Sequence, residues 1–383
     1  MALDPQLSTP AGKRRARALG IPFDGTPGPN NAVTDVPGVA VGYATIIEGE
    51  GRLVVGEGPV RTGVTAILPR GHAGLAVPAF GGSFSLNGSG ELTGTLWIEE
   101  SGLCEGPITI TNTHSCGLAR DATIRWLAER RPELLPRWGL PIAGETYDGE
   151  LNDINGFHVK SEHVFQAIDS AASGPLELGS VGGGTGMICY DFKGGSGSAS
   201  RLVACDGGRF TLGVFVQANF GLRRELIVAG IPVGRQLPGG EVRSQPAGSV
   251  IAVVATDAPL LPHQLKRLAR RVALGLARSG SVAHHGSGDI FLALSTANAA
   301  ALGSSGDPAG GGLRQASFLD NADMDPLFTA VVEATDEAVI DSMVANETMT
   351  GRDGIAVRAL PHDRLCEILA RYGRLEAPGP SPR

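Results

Sequence analysis

QPAGSVIAVVATDAPLLPH, residues 245 to 263, places a Gly-Ser pair directly ahead of the apolar run Val250 to Ala255. The run reads as a buried strand, and Gly248 and Ser249 stand at its mouth. Two explanations are open. Gly and Ser are turn residues, and a strand has to begin somewhere. Alternatively, Ser249 cuts the chain in front of itself and becomes a new N-terminus. Gly248 leaves its carbonyl unshielded and tolerates a strained backbone, so the Ser249 hydroxyl can attack that carbonyl and shift the acyl group from N to O. Hydrolysis of the ester then frees the Ser249 α-amine. Such an amine titrates near ~8 and can serve as general base for its own hydroxyl.

Outward from this stretch, Phe210 to Gln217 reads as a second buried strand, and 238 to 247 as an exposed linker leading to Ser249. After the Ser249 strand, Pro262 opens a helix with Leu261, Leu265, Leu268, Val272 and Leu276 on one face and a solvated run of Lys266, Arg267, Arg270 and Arg271 on much of the other. A strand at 288 to 296, a loose Gly/Ala-rich loop at 298 to 313, a helix at about 326 to 343 and a strand and helix at 354 to 372 follow. Toward the N-terminus, residues 118 to 130 predict a helix facing inward with Ile124, Leu127 and Ala128, while 33 to 113 predicts short strands with few helices. Residues 1 to 30 are polar, Pro-rich and aperiodic and are expected as a surface arm, with a single domain over 31 to 374 and a flexible tail at 375 to 383. Strands near the middle with helices around both ends predict an α/β (α+β) fold of stacked sheets with helices outside.

Of the 383 residues 56 are Gly and only 5% are aromatic, so Ala, Val, Leu and Ile must fill the interior with backbones in close approach. The formal net charge of −7 argues against nucleic-acid and anionic-membrane partners. Five cysteines form no CxxC pair, the N-terminal stretch lacks an apolar h-region, and no run of 18 apolar residues occurs. A cytoplasmic protein is the expectation.

Four lysines (Lys13, Lys160, Lys193, Lys266) are badly placed for a Ser-Lys dyad. No HExxH or other helix-spaced metal pair occurs, and no GxSxG elbow marks a triad serine; a Ser-His-acid triad stays open, with His284 and His285 just ahead of Ser287. GGGTGM (182 to 187) and GGSGSAS (194 to 200) lack GK[ST] and a full GxGxxG, so the glycines of 182 to 197 are assigned to turns lining a pocket, not to a nucleotide. Neither a metal nor an organic cofactor is expected.

TDVPGVAVGYAT (34 to 45), LNGSGELTG (86 to 94), TNTHSCGLARDA (111 to 122), ETYDGELNDINGFHV (145 to 159), GSVGGGTGMICYDFKGG (179 to 195), VQANFG (216 to 221), the Ser249 stretch and HGSGDIFLALST (285 to 296) together resemble the self-processing L-aminopeptidase/D-amidase-esterase and β-peptidyl aminopeptidase family, the DmpA-like N-terminal-nucleophile serine peptidases. The resemblance implies an αββα sandwich related to ornithine acetyltransferases. It implies cleavage between Gly248 and Ser249 into an α chain 1–248 and a β chain 249–383, and an oligomer, a tetramer of processed heterodimers. Ser249 matches the nucleophile, Asn219 an oxyanion donor, Tyr147 a tyrosine near the reacting centre, and Ser287 with Asp289 the pair orienting the Ser249 amine and hydroxyl. Glu145, Asp148 and Glu91 are candidates to hold a substrate ammonium. The activity implied is release of N-terminal residues from short peptides, amides or esters through an acyl-enzyme. An acyltransferase on the same fold, or an uncleaved binding protein, are the alternatives.

Overall fold

The apolar run from Val250 to Ala255 lies in the middle of a six-stranded sheet, and its two faces have different neighbours. Val250, Ala252 and Val254 join a core under helices, while Ile251, Val253 and Ala255 join a core between two sheets. Neither face meets water, which is why the run does not alternate with polar residues.

The computed structural model describes residues 3–135, 139–243, 248–303 and 312–376. In chain order the strands are β1 (Ala40–Glu48), β2 (Val60–Leu68), β3 (Ala79–Gly88), β4 (Leu103–Cys104), β5 (Ile108–Asn112), β6 (Ile142–Thr146), β7 (Ile188–Cys189), β8 (Phe192–Lys193), β9 (Gly195–Cys205), β10 (Gly208–Asn219), β11 (Gly248–Thr256), β12 (Ser287–Ser295), β13 (Met349–Thr350) and β14 (Ala356–Val357). The helices are α1 (Thr95–Ser101), α2 (Cys116–Arg130), α3 (Ser161–Asp169), α4 (Pro262–Arg278), α5 (Ala299–Leu302), α6 (Asp325–Val344) and α7 (His362–Arg371). One sheet runs β1-β2-β5-β6 and the other β4-β3-β12-β11-β10-β9. Helices α2 and α3 cover the first, α4 and α6 the second, which gives the αββα layering.

Three cores correspond to the three gaps between layers. Ile110 and Ile142 from one sheet meet Phe215, Ile251 and Leu292 from the other in the central gap. Leu265, Leu268, Val272 and Leu276 of α4 pack with Val331, Ala334 and Ala338 of α6 under the larger sheet. Each fully buried Leu, Ile, Val or Phe side chain among these contributes roughly 1.5–3 kcal/mol.

Several expectations change in three dimensions. Helix α2 buries Ala119, Ala122, Thr123, Trp126 and Leu127, leaving Ile124 half-buried and Ala128 exposed. Its small residues let the helix approach the sheet closely, so alanines set the packed face. The basic face of α4 is partly spent on stacking, with the Arg271 guanidinium 3.8 Å from the centre of the Phe328 ring. The glycines at 182 to 184 form one buried 3-10 turn, and Gly195 begins β9 instead of a turn. A Cβ at Gly184 would stand 2.6 Å from the Ser196 hydroxyl oxygen, so close packing accounts for that glycine and the segment does not line the Ser249 cavity.

The N-terminal segment is fastened to the body. Arg15 and Ala16 are buried, and Arg15 pairs with Asp341 of α6 at 2.6 Å. The linker is exposed at Pro238 to Glu241 but buried at Arg243; its residues 244 to 247 lie outside the described residues, as do 304 to 311 of the expected loop and 377 to 383 of the expected tail. No described helix is long and apolar enough to cross a membrane.

Candidate active site

Ser249 is the second residue of β11 and only 3% exposed. The ladders on either side bring the sequence-selected polar residues to it. Antiparallel pairing sets Asn219, the last residue of β10, opposite Ser249, and parallel pairing sets Ser287 opposite Gly248 and Gly288 opposite Ser249. Three strand ends thus converge at one rim of the central gap. Gly248 has no room for a side chain, since a Cβ there would stand 2.7 Å from the Phe220 Cα.

The Ser249 hydroxyl opens onto a cavity of about 470 Å3 lined by Glu91, Thr113, Glu145, Tyr147 and Arg243 among others. The Tyr147 backbone N–H donates to Ser249 Oγ at 3.3 Å, so the tyrosine touches the serine through its main chain. Asn219 is fully buried; its Nδ2 donates to the Tyr147 carbonyl at 2.8 Å, and its Oδ1 accepts from the Ile188 N–H at 2.9 Å and from Arg243 Nη2 at 2.7 Å.

On the other side, Ser287 Oγ donates to Asp289 Oδ1 at 2.7 Å, and Asn87 Nδ2 donates to Asp289 Oδ2 at 3.1 Å. Ser287 has given its only proton to the carboxylate, which leaves its oxygen as an acceptor. Burial pushes the Asp289 carboxyl above the usual range, while the Ser287 and Asn87 hydrogen bonds and His284 pull it back.

The three acidic candidates separate. Glu145 lines the cavity, accepts the Glu91 N–H at 2.9 Å, and is pushed up chiefly by burial. Glu91 is exposed at the cavity mouth. Asp148 is wholly buried, accepts from Asn152 Nδ2 at 3.0 Å, and is pushed by burial up to about 7; it is absent from the cavity wall. The same holds for Lys193, whose buried Nζ donates to the carbonyls of Met187 and Gly194 at 2.8 and 2.7 Å. His284 pairs with Glu225 at 2.8 Å rather than with a serine.

Two polar groups here were not selected from the sequence. Asn87 lies inside the quoted LNGSGELTG, yet only the pairing of β3 with β12 shows that it faces Asp289. Arg243 sits in a Gly/Pro-rich stretch whose composition reads as exposed.

A layered αββα body with a serine at the mouth of a central strand is the N-terminal-nucleophile architecture. The peptidase family S58 model matches residues 31–357, and the chain belongs to that family. It is 51% identical over 378 residues to the β-peptidyl aminopeptidase BapA of Sphingosinicella microcystinivorans, covering 95% of this chain and 93% of the relative. Among solved structures, the L-aminopeptidase D-Ala-esterase/amidase of Ochrobactrum anthropi, described as a prototype serine aminopeptidase and a new variant of the Ntn hydrolase fold, superposes with a TM-score of 0.88 at 47% identity, over 94% of this chain and 99% of that one. A Burkholderia sp. β-aminopeptidase gives 0.85 at 45% identity with the same coverage. The protein is a serine aminopeptidase of the N-terminal-nucleophile class.

Proposed function

We propose that Ser249 is the nucleophile, exposed as an α-amine by cleavage after Gly248, and that the chain then works as an α chain 1–248 and a β chain 249–383. The observation that carries this is the position of Ser249: first apolar-strand hydroxyl, opening onto the cavity, with neutral donors and an acid-serine pair on the flanking strand ends. In the precursor, the Ser249 hydroxyl adds to the Gly248 carbonyl, the C–N bond breaks as the nitrogen takes a proton, and water hydrolyses the resulting ester to a Gly248 carboxylate and a free Ser249 amine.

In turnover the free amine takes the Ser249 hydroxyl proton while the oxygen attacks the substrate carbonyl. Asn219 Nδ2 and the Tyr147 N–H are the donors for the oxyanion, and Ser287 with Asp289 orients the amine. The tetrahedral intermediate collapses to an acyl-enzyme, the leaving amine takes the proton, and water releases the acid. Glu145 and Glu91, the two acids on the cavity, receive the substrate ammonium; Asp148 has a supporting role beneath. The substrates are short peptides, amino-acid amides or esters. The names of the relatives favour β-amino acids at the N-terminal position alongside α. We extend the reading to a cytoplasmic tetramer of processed heterodimers, consistent with five free thiols.

The intact mass of the denatured protein tests the reading. Fragments matching 1–248 and 249–383, absent in Ser249→Ala, are expected together with hydrolysis of amino-acid anilides. One full-length mass after long incubation, with or without activity, would overturn it.

A further inference from the structure

Asn219 can present an N–H to an oxyanion only if its amide keeps one orientation. Two donors hold the oxygen end, the Ile188 N–H and Arg243 Nη2, and the Tyr147 carbonyl holds one hydrogen of the nitrogen end. An amide oxygen has two lone pairs and an NH2 has two hydrogens, so this set fills the oxygen and leaves one N–H for the reaction. Reversing the amide would set NH2 against a guanidinium and a backbone N–H, both donors.

Arg243 is built into the site. It is 8% exposed, lines the Ser249 cavity, and also donates from Nη1 to the Ile188 carbonyl at 3.2 Å. Its own backbone is anchored by Asp191, which is buried and accepts the Arg243 N–H at 3.1 Å while accepting the Arg223 N–H at 3.1 Å on its other oxygen. The bond from a cation to the Asn219 oxygen draws electron density from the amide and strengthens the remaining N–H as a donor.

We propose that Arg243 is a positioning residue for the oxyanion step of both self-cleavage and turnover, acting through Asn219. The proposal rests on the reading of Ser249 and Asn219 given above. It also means that the end of the α chain, a few residues before the cut, stays part of the finished site.

The test is a double-mutant cycle of Arg243→Gln and Asn219→Ala, read on the rate of fragment appearance by intact mass, with kcat and KM on alanine p-nitroanilide for Arg243→Gln and Arg243→Lys. Arg243→Gln is expected to slow cleavage and lower kcat about tenfold to a hundredfold with KM little changed, as loss of a charged hydrogen bond predicts. Arg243→Lys, which keeps a cation, should recover part of the loss. In the Asn219→Ala background Arg243→Gln should add almost nothing.

Equal losses in both backgrounds, or a raised KM at unchanged kcat, would overturn the proposal and leave Arg243 as cavity wall. Should Arg243→Gln fail to fold by circular dichroism, Arg243→Lys carries the cycle with the same criteria. Full activity of Asn219→Ala is the separate failure, since it removes the oxyanion reading itself.

Discussion

Glu337, in a buried polar cluster beneath the N-terminal segment, and the buried carboxylates of a second cluster at the Ser249 rim are shifted in opposite directions, while Asp341 of the first cluster stays raised by burial despite Arg15. Beneath the N-terminal segment, burial alone would raise the Glu337 carboxyl, but Arg201, then Arg17 and Arg15, outweigh it and hold it well below the ordinary range. Its salt bridges to Arg17 and Arg201 measure 2.6 and 2.8 Å. At the Ser249 rim, Asp289 and Glu145 are also buried, yet their hydrogen bonds come from Ser287, Asn87 and a backbone N–H, and burial raises both. The first cluster has its cations permanently in place. On the function proposed above, the second would receive one, the Ser249 amine at Asp289 and a substrate ammonium at Glu145, and that arrival would recover the cost of desolvation.

The largest effect that could break this comparison is at the serine. Ser249→Ala should abolish both fragment formation and anilide hydrolysis; residual turnover would locate the nucleophile elsewhere. Next, Asn219→Ala should lower kcat about 10²–10³-fold, as loss of one oxyanion donor does, measured on protein that has finished processing.

The permanent cluster should answer in stability instead of rate. Glu337→Gln leaves guanidinium groups buried without their carboxylate and should cost about 3–5 kcal/mol in urea unfolding, while kcat of the folded protein is retained. A loss of activity without a loss of stability would erase the distinction between the two clusters.

The smallest expected effect concerns Asp148. Its carboxyl is pushed up to about 7 from 3.8, so the folded state holds the proton more tightly than the unfolded one. The fold therefore loses stability as pH rises through that interval and recovers it as pH falls back toward 4. Asp148→Asn should melt higher than the parent by ~2–4 °C at pH 8.5, with the gap narrowing below about pH 7 and closing near pH 4. A gap independent of pH would show that the carboxyl does not carry a raised pKa.

Much of the fold was legible because its strongest signals are one-dimensional. The 3.6 spacing of Leu265, Leu268, Val272 and Leu276 survives as the buried face of α4, and the apolar run after Ser249 is a strand with two cores to fill. Helix α2 was placed but its inward face was misread, because alanines packed against a sheet carry little hydrophobic contrast. Within the site, Ser249, Asn219, Ser287 and Asp289 were reached through short motifs, and pairing of strands brings them together. What the sequence could not separate were Glu145 and Asp148: one lies on β6 facing the cavity, the other just past its end and turned beneath. Arg243 was hidden for a different reason. A polar Gly/Pro-rich stretch gives no sign that the backbone of one residue is held by Asp191 while its side chain turns inward to Asn219.

The order of the larger sheet has one more consequence. Strands β11 and β12 follow the proposed cut, but they lie between β3 and β10, which precede it. Cutting before Ser249 therefore yields two polypeptides interlocked like the teeth of a closed zip, neither of which can be withdrawn without tearing ladders on both sides. With the cut at the proposed place, maturation would be a one-way passage through the uncut chain: halves synthesised separately would each expose two unsatisfied sheet edges, and a protein unfolded after cutting would have lost the covalent tether that first put its strands in register.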